Sequence, residues 1–456
     1  MSTGVAIQRP AQSADRYAKR VNPVWVRLLD LLQMNVRYER CVGTELATAD
    51  GRRILDFLSG YCVHNVGHNH PDVVSALQEE LARCGPAMIQ THVADLAGEL
   101  AEKLCQLAGG RLNRAFFASS GSEGVEASIK FARAHTKRAG ILSAEHAFHG
   151  LTCGALSLMS DGYWRDGFGP LLPETCAVPF GDLEALDLEL KSKRYAAFIV
   201  EPIQSEAGVC VPHRDYLRTA ESLCRRHGTL FALDEVQTGM YRTGPFLAAH
   251  HFGVEPDMVI LAKAMSGGLV PCGAVLMSAE ICDSVYSSLP KAFVHTSTFG
   301  ENSLAMRAAL ATLEVLEREK LGDRSTEAGR YLQAALREKL AGFEMVKEVR
   351  GVGLLMGIEF RAPKQLRLRI PYEAFGAIHG GMFGQIVVMR LFRDAGFLTQ
   401  ICGNNFMVLK VAPPLVVTDT QMDAFALAVR DVVELAHSPG AFWAEALGLA
   451  RRAFRR

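Results

Sequence analysis

The sequence predicts an α/β protein, in which a mostly parallel sheet is covered by helices and followed by a smaller α+β unit. Three observations predict it. Between about residues 65 and 320, short apolar runs alternate with longer helical patterns. The runs Ala115–Phe117, Phe198–Val200, Leu230–Leu233 and Met258–Leu261 are continuously apolar, as strands covered on both faces are, and their spacing of roughly 30 residues and more leaves room for crossover helices. After about residue 325 the texture changes. A long helix over about Arg324–Leu340 leads to Val346–Glu348 and Gly353–Phe360, then to more helix.

The chain has 456 residues, more than one hydrophobic core usually serves. The expected division is an N-terminal segment over 1–65, a large unit over 66–325 and a small unit over 326–456. The first 20 residues read as a loosely held arm. Asn22 and Pro23 supply a cap and a first helical residue. Trp25, Leu28, Leu29 and Leu32 then recur at helical spacing, and this segment is expected to pack on the small unit.

Lys plus Arg and Asp plus Glu both number 49, so there is no basic excess for a general nucleic-acid binder. The polar start does not read as a secretory signal, and no stretch of about 18 apolar residues predicts a membrane span. The 11 cysteines are odd in number, scattered and without a C-x-x-C pair. They read as reduced thiols of a cytoplasmic protein.

The chemistry-bearing residues fall where three strands end, the edge at which open α/β sheets gather ligands. After Ala115–Phe117 comes Ser119-Ser120-Gly121-Ser122-Glu123-Gly124, then a helix with Val125, Ile129 and Ala132 on one face. Small residues at a strand-to-helix turn expose amides, and the helix end adds partial positive charge, so the turn can hold a phosphate. The plain alternative is a capped helix start. Asp234, in Leu233-Asp234-Glu235-Val236-Gln237, follows an apolar strand, and a buried carboxylate needs a cation. A protonated pyridine nitrogen or a core ion pair would serve. Lys263 directly follows Met258–Leu261. Burial favours its neutral amine, which attacks carbonyls, whereas a snorkelling lysine would reach solvent. A phosphate turn, a buried acid and a post-strand lysine on one edge are together what pyridoxal phosphate (PLP) needs.

At these residues the sequence resembles the class III aminotransferases of PLP fold type I, over roughly residues 22 to 435. The resemblance is carried by Gly67-His68-Asn69-His70-Pro71, Ser120–Glu123, Phe148-His149-Gly150, Val200-Glu201-Pro202-Ile203-Gln204, Leu233–Gly239, the Lys263 segment, Thr296-Ser297-Thr298-Phe299-Gly300 and Ala412-Pro413-Pro414-Leu415. The ornithine, acetylornithine and putrescine branch is the most similar. The resemblance implies a seven-stranded sheet and a cofactor site of Ser120, Gly121, Ser122, Phe148, His149, Glu201, Asp234, Val236, Gln237 and Lys263. Lys263 would hold PLP as a Schiff base and shuttle protons, and Asp234 would pair with the ring nitrogen. Phe148 and Val236 would flank the ring, Gln237 would reach its hydroxyl, and Glu201 would organise the pocket. Thr298 would reach the phosphate of the other subunit, making a homodimer with its active sites at the interface. Amines and keto acids are the implied substrates.

Three departures from that pattern bear on specificity. Ornithine enzymes carry an Arg just after the aromatic-x-Gly turn to bind a substrate carboxylate, and here Leu151 stands there. An apolar side chain cannot clamp a carboxylate, so a diamine or other primary amine is expected rather than ornithine. The Arg that binds the keto-acid carboxylate and alternates with a pairing to Glu206 is replaced by Lys410, which lacks the bidentate fork. Glu301 replaces a glycine beside the dimer phosphate site, either turned away or greeting a cationic substrate.

Two further features have plain readings. His64, His68 and His70 belong to the family pattern and lack ligands at zinc spacing, so no metal is expected. The tail after Pro439 sets Trp443, Leu447, Ala450 and Phe454 on one face with arginines nearby. A helix docked on the small unit is preferred over contact with an anionic membrane surface. The function expected is transfer of a terminal amino group to a keto acid, or the reverse amination of an aldehyde. The alternatives are a large hydrophobic or lipid-linked aldehyde, which the apolar segment Phe383–Phe406 would suit although core of the small unit is the preferred reading of it, and a class III racemase, aminomutase or decarboxylase.

Overall fold

The computed structural model describes residues 13–89, 91–376, 382–438, 440, 442–445 and 448–449. Asn22 caps the helix Pro23–Leu31 by accepting the amides of Val24 and Trp25. That helix buries none of its own residues, and Trp25 and Leu28 stay exposed. Leu32, just past its end, is buried.

Strands β1 (Tyr38–Val42), β2 (Glu45–Thr48) and β3 (Arg53–Asp56) form an antiparallel meander. The central sheet then takes β4 (Arg114–Ala118), β5 (Gly140–Ala144), β6 (Thr175–Val178), β7 (Tyr195–Val200), β8 (Leu230–Asp234), β9 (Met258–Leu261) and β10 (Gly273–Met277). Its order is β4-β10-β9-β8-β7-β5-β6. The apolar runs behave as expected: every residue of β7 and β9 is buried. Pairs along β9-β8-β7-β5-β6 are parallel, whereas β10 runs antiparallel to both β9 and β4. The helix Gly121–Thr136 buries Val125, Ile129 and Ala132, the face that its periodicity predicts.

The helix Leu321–Lys339 leads to β11 (Val346–Val352) and β12 (Leu355–Phe360). The short strands β13 (Phe397–Leu398) and β14 (Gln400–Ile401) precede β15 (Val408–Val411). Strands β11-β12-β15-β14 make one sheet, while β13 pairs in parallel with β3 and completes the N-terminal sheet. The N-terminal strands thereby join the C-terminal part through β3. The segment Phe383–Phe406 is mainly core, with Phe383, Val387, Leu391 and Phe397 buried. Phe442 and Trp443 are also buried, and the Trp443 ring stacks on Phe383. Pro439, Leu447, Ala450, Phe454 and Arg451, Arg452, Arg455 and Arg456 of the basic tail lie outside the described residues. Among the described residues no helix is long and apolar enough to cross a membrane.

Strands β4, β5, β7, β8 and β9 run the same way, so their carboxyl ends share one sheet edge. That shared direction brings Ser119, Phe148, Glu201, Asp234 and Lys263 together from distant points of the chain.

Candidate active site

A cavity of about 420 Å³ opens at that edge. It is lined by Ser120, Gly121, Ser122, Phe148, His149, Glu201, Asp234, Val236, Gln237 and Lys263, along with a Leu269–Cys272 wall. The Ser120 hydroxyl accepts the Glu123 amide at 3.2 Å, and the Glu123 carboxylate accepts the Ser119 amide at 2.8 Å. With the helix start closed in this way, its geometry leaves the amides of Gly121 and Ser122 as open donors. A Cβ on Gly121 would meet Val236 Cγ2 at 2.9 Å, so only glycine lets the turn and Val236 share the cavity floor.

Asp234 is buried at 4% exposure. Its Oδ2 lies 2.8 Å from His149 Nδ1, and its Oδ1 accepts the Val236 amide at 3.1 Å. A core partner for Asp234 therefore exists within the chain, and it sits in the cavity wall. Burial opposes charge on His149, but the hydrogen bond and charge of Asp234, with Glu201, outweigh it and hold the imidazole above its ordinary pKa. His149 Nε2 has no hydrogen-bond partner among the described residues. Glu201 accepts the Phe148 amide at 3.0 Å and the Ser205 amide at 3.1 Å, which fixes the backbone that carries the Phe148 ring. Burial pushes Glu201 up to about 7.

Lys263 opens a short 3₁₀ turn, Lys263–Ser266, with φ +46°. A side-chain-bearing residue in that left-handed region costs about 1 kcal/mol, a strain of the kind that collects at functional sites. Burial holds its amine below the ordinary lysine value, against the pull of Cys62, Asp234 and Glu206.

Behind Gln237 lies a fully buried charge pair. Lys410 is 0% exposed and ion-paired to Glu206. Gln237 donates to Glu206 Oε1 at 3.1 Å and accepts from Lys410 Nζ at 3.3 Å. The ammonium also stands 5.4 Å from the centroid of the Tyr61 ring. Burial opposes charge on both partners, yet each stabilises the other, so Lys410 is raised and Glu206 lowered from their ordinary values.

Three of the residues singled out in the sequence stand apart from the cavity in the single chain. Leu151 is 55% exposed, with its amide on the Ser122 hydroxyl at 3.3 Å. Thr298 and Glu301 line a separate trough of about 520 Å³ with Phe117 and Arg307. His68 bonds Asp56 at 2.7 Å and stacks with His64, while His70 faces Glu319 at 3.3 Å. Among the described residues no group of three or more His, Cys, Asp or Glu side chains could hold a metal ion. Sequence reasoning passed over Trp164, Tyr61 and Asn404, which surround the Phe148 ring and the Lys410 pair. A tryptophan within the stretch Asp161–Gly167, which forms the short helix Gly162–Arg165, is the one signal that pointed there.

Glu235, next to Asp234, faces away from the cavity. It accepts from Thr238 Oγ1 at 2.5 Å and from the amides of Ala248 and Ala249 at 3.0 and 2.7 Å. Burial nevertheless pushes its carboxyl up to about 7. A folded pKa above the unfolded value of about 4.3 means that the folded state binds the proton more tightly. Its stabilisation is complete below the unfolded value and is lost as pH rises through about 7. The difference in urea-unfolding free energy between wild type and Glu235→Gln is therefore expected to shrink between pH 5 and 8. A difference constant over that range rules the assignment out.

A family model for class III aminotransferases matches residues 30–433. The chain is 36% identical over 464 residues to the aminotransferase PigE of a Serratia species, covering 94% of this chain but 54% of that one. It thus spans about half the length of that relative. It is 37% identical over 398 residues to the putrescine aminotransferase of Pectobacterium atrosepticum, covering 85% of this chain and 80% of the relative. The solved ornithine aminotransferase of Toxoplasma gondii superposes with a TM-score of 0.80 at 29% identity, covering 94% of this chain and 99% of that one. A transaminase from a marine Virgibacillus shares the fold, with a TM-score of 0.79 at 24% identity, covering 88% of this chain and 93% of that one. The chain belongs to the class III aminotransferases, PLP-dependent enzymes of fold type I that transfer amino groups.

Proposed function

We propose that the chain transfers the terminal amino group of a primary amine lacking a carboxylate, such as a diamine, to a keto acid, or runs the reverse amination of an aldehyde. One observation carries this reading: among the described residues no arginine lines the cavity. The adjacent cation, Lys410, is already neutralised by Glu206. Nothing in the cavity wall offers the bidentate grip that an amino-acid donor's carboxylate favours. The likeness to a putrescine aminotransferase supports the same substrate class.

The donor set fits PLP. The open amides of Gly121 and Ser122 suit a phosphate, the Asp234 carboxylate suits a protonated ring nitrogen, and the flat space between Phe148 and Val236 suits an aromatic ring. When bound, PLP supplies an aldehyde that links to amines and a ring that draws electrons from the amine carbon. Lys263 would anchor the cofactor and would take the proton from that carbon, and burial, by lowering its pKa, favours the neutral Nζ that both tasks need. His149 orients Asp234 through Oδ2 while each Asp234 oxygen keeps a spare lone pair. Glu201 fixes Phe148 through its amide. A keto acid that uses Lys410 must displace Glu206, which ties the second half of the cycle to that buried pair. Thr298 completes the phosphate site of a second subunit in a homodimer working in the cytoplasm.

The test is an absorbance scan of the holoenzyme as amines are added without keto acid. Putrescine-like diamines are expected to bleach the visible cofactor band and ornithine to leave it. Equal bleaching by ornithine overturns the argument from Leu151. A band unmoved by every small amine overturns the substrate class and favours a large hydrophobic one.

A further inference from the structure

Two parts of the site that do opposite jobs hang on one dipeptide of the C-terminal sheet. Gly403 and Asn404 lie in the turn between β14 and β15, the strand that carries Lys410. The Gly403 amide donates to Glu206 Oε2 at 2.8 Å, and the Asn404 amide donates to the Glu206 carbonyl at 2.9 Å. The Asn404 side chain points the other way. Its Oδ1 accepts the Trp164 indole N–H at 2.6 Å, and its Nδ2 donates to the carbonyls of His146 at 2.7 Å and Ala147 at 3.3 Å. Those two carbonyls immediately precede Phe148. The Trp164 ring meets the Phe148 ring edge-on, with centroids 5.3 Å apart and planes at 77°. A Cβ on Gly403 would meet Trp164 Cζ2 at 3.1 Å and Glu206 Oε2 at 3.2 Å, so the turn is pressed against both at once.

The geometry points to Asn404 as a positioning residue that couples the Lys410–Glu206 pair to the Phe148 wall of the cofactor cavity, with Trp164 as its strut. This rests on the reading of Phe148 as the ring-facing wall and of Lys410 as the acceptor cation. Asn404 touches neither guest. It acts by holding the backbone of residues 146–147 and the back of the Phe148 ring on one side, and the segment that presents Glu206 on the other. A side chain that served only to brace the fold would lower stability and leave both guests' sites unaltered. A coupling residue changes the two sites together, because the Asn404 side chain grips the Phe148 side while its backbone amide and that of Gly403 grip Glu206, so that loosening the first shifts the turn that holds the second.

The test uses the holoenzyme of wild type, Asn404→Ala and Trp164→Phe, with visible circular dichroism of the bound cofactor and separate rates for the amine and acceptor halves. Asn404→Ala is expected to reduce the dichroic band, weaken cofactor retention on dialysis and raise the KM for the keto acid about fivefold or more, as loss of its anchoring hydrogen bonds requires. Trp164→Phe keeps an aromatic ring beside Phe148 but loses the N–H and part of the ring that packs on Gly403, so it should reduce the band in part and by less than Asn404→Ala. An Asn404→Ala enzyme with a lower thermal midpoint but an unchanged band and unchanged acceptor KM overturns the coupling. So does a band that changes without any change in KM. Failure of the underlying reading looks different: wild-type holoenzyme would then not transfer amino groups from primary amines at all.

Discussion

Lys263→Ala is expected to lower turnover by about 10³-fold or more and to abolish covalent attachment of the cofactor. The residue sits where β9 ends, in the cavity wall, with its amine held below the ordinary value by burial. Only 3₁₀ and left-handed geometry let the chain turn there, and alanine tolerates that backbone as well as lysine does, so the fold should survive. Borohydride treatment followed by mass measurement checks the first claim. Wild type should gain the mass of the cofactor and the variant should not. Added methylamine, a free base of similar strength, should restore part of the turnover. A variant within tenfold of wild type would mean that another group moves the proton, and the assignment of Lys263 would fall.

The second large effect concerns stability. Arg242 is fully buried, and burial pushes its guanidinium below the ordinary value, against Cys62 and Asp56. Its Nη1 donates to the carbonyls of Leu354, at 3.1 Å, and Pro413, and its Nη2 donates to Ser59 Oγ, at 3.2 Å, and to the Asn65 side chain. One planar fork thus ties the segment after β3 to the residues preceding β12 and following β15. Removing it in Arg242→Ala strands buried acceptors and opens a cavity, at an expected cost of about 3–5 kcal/mol. Arg242→Lys should recover little, because an ammonium on a flexible stem cannot reach four acceptors in one plane. Urea unfolding of both variants checks this. A loss below about 1 kcal/mol in Arg242→Ala would show that water replaces the fork.

The central strands were readable because burial on both faces removes alternation, so each appears as a short apolar run. Their order was not readable. Nothing in Gly273–Met277 says that β10 inserts antiparallel between β4 and β9, since strand order is decided by packing between elements rather than within one. The same distinction divides the site. Lys263, Asp234 and the Ser120–Ser122 turn announce themselves by position after a strand. The partnership of Asp234 with His149, the wedging of Gln237 between Glu206 and Lys410, and the bridge made by Asn404 depend on which side chains meet across the fold. The Pro23–Leu31 helix is legible by its cap and its period, yet among the described residues none of its side chains becomes buried and Trp25 and Leu28 stay exposed. Periodicity reports that a face is apolar, not what buries it.

The parallel pairing of β3 with β13 has a consequence for synthesis on the ribosome. Leu55 and Asp56 meet Phe397 and Leu398, made roughly 340 residues later. At about 5–20 residues per second, the nascent meander waits roughly 20–70 s with that edge open. An open strand edge is a template for wrong partners. Chaperone engagement and protease sensitivity of stalled nascent chains should therefore persist until translation passes residue 398, then fall.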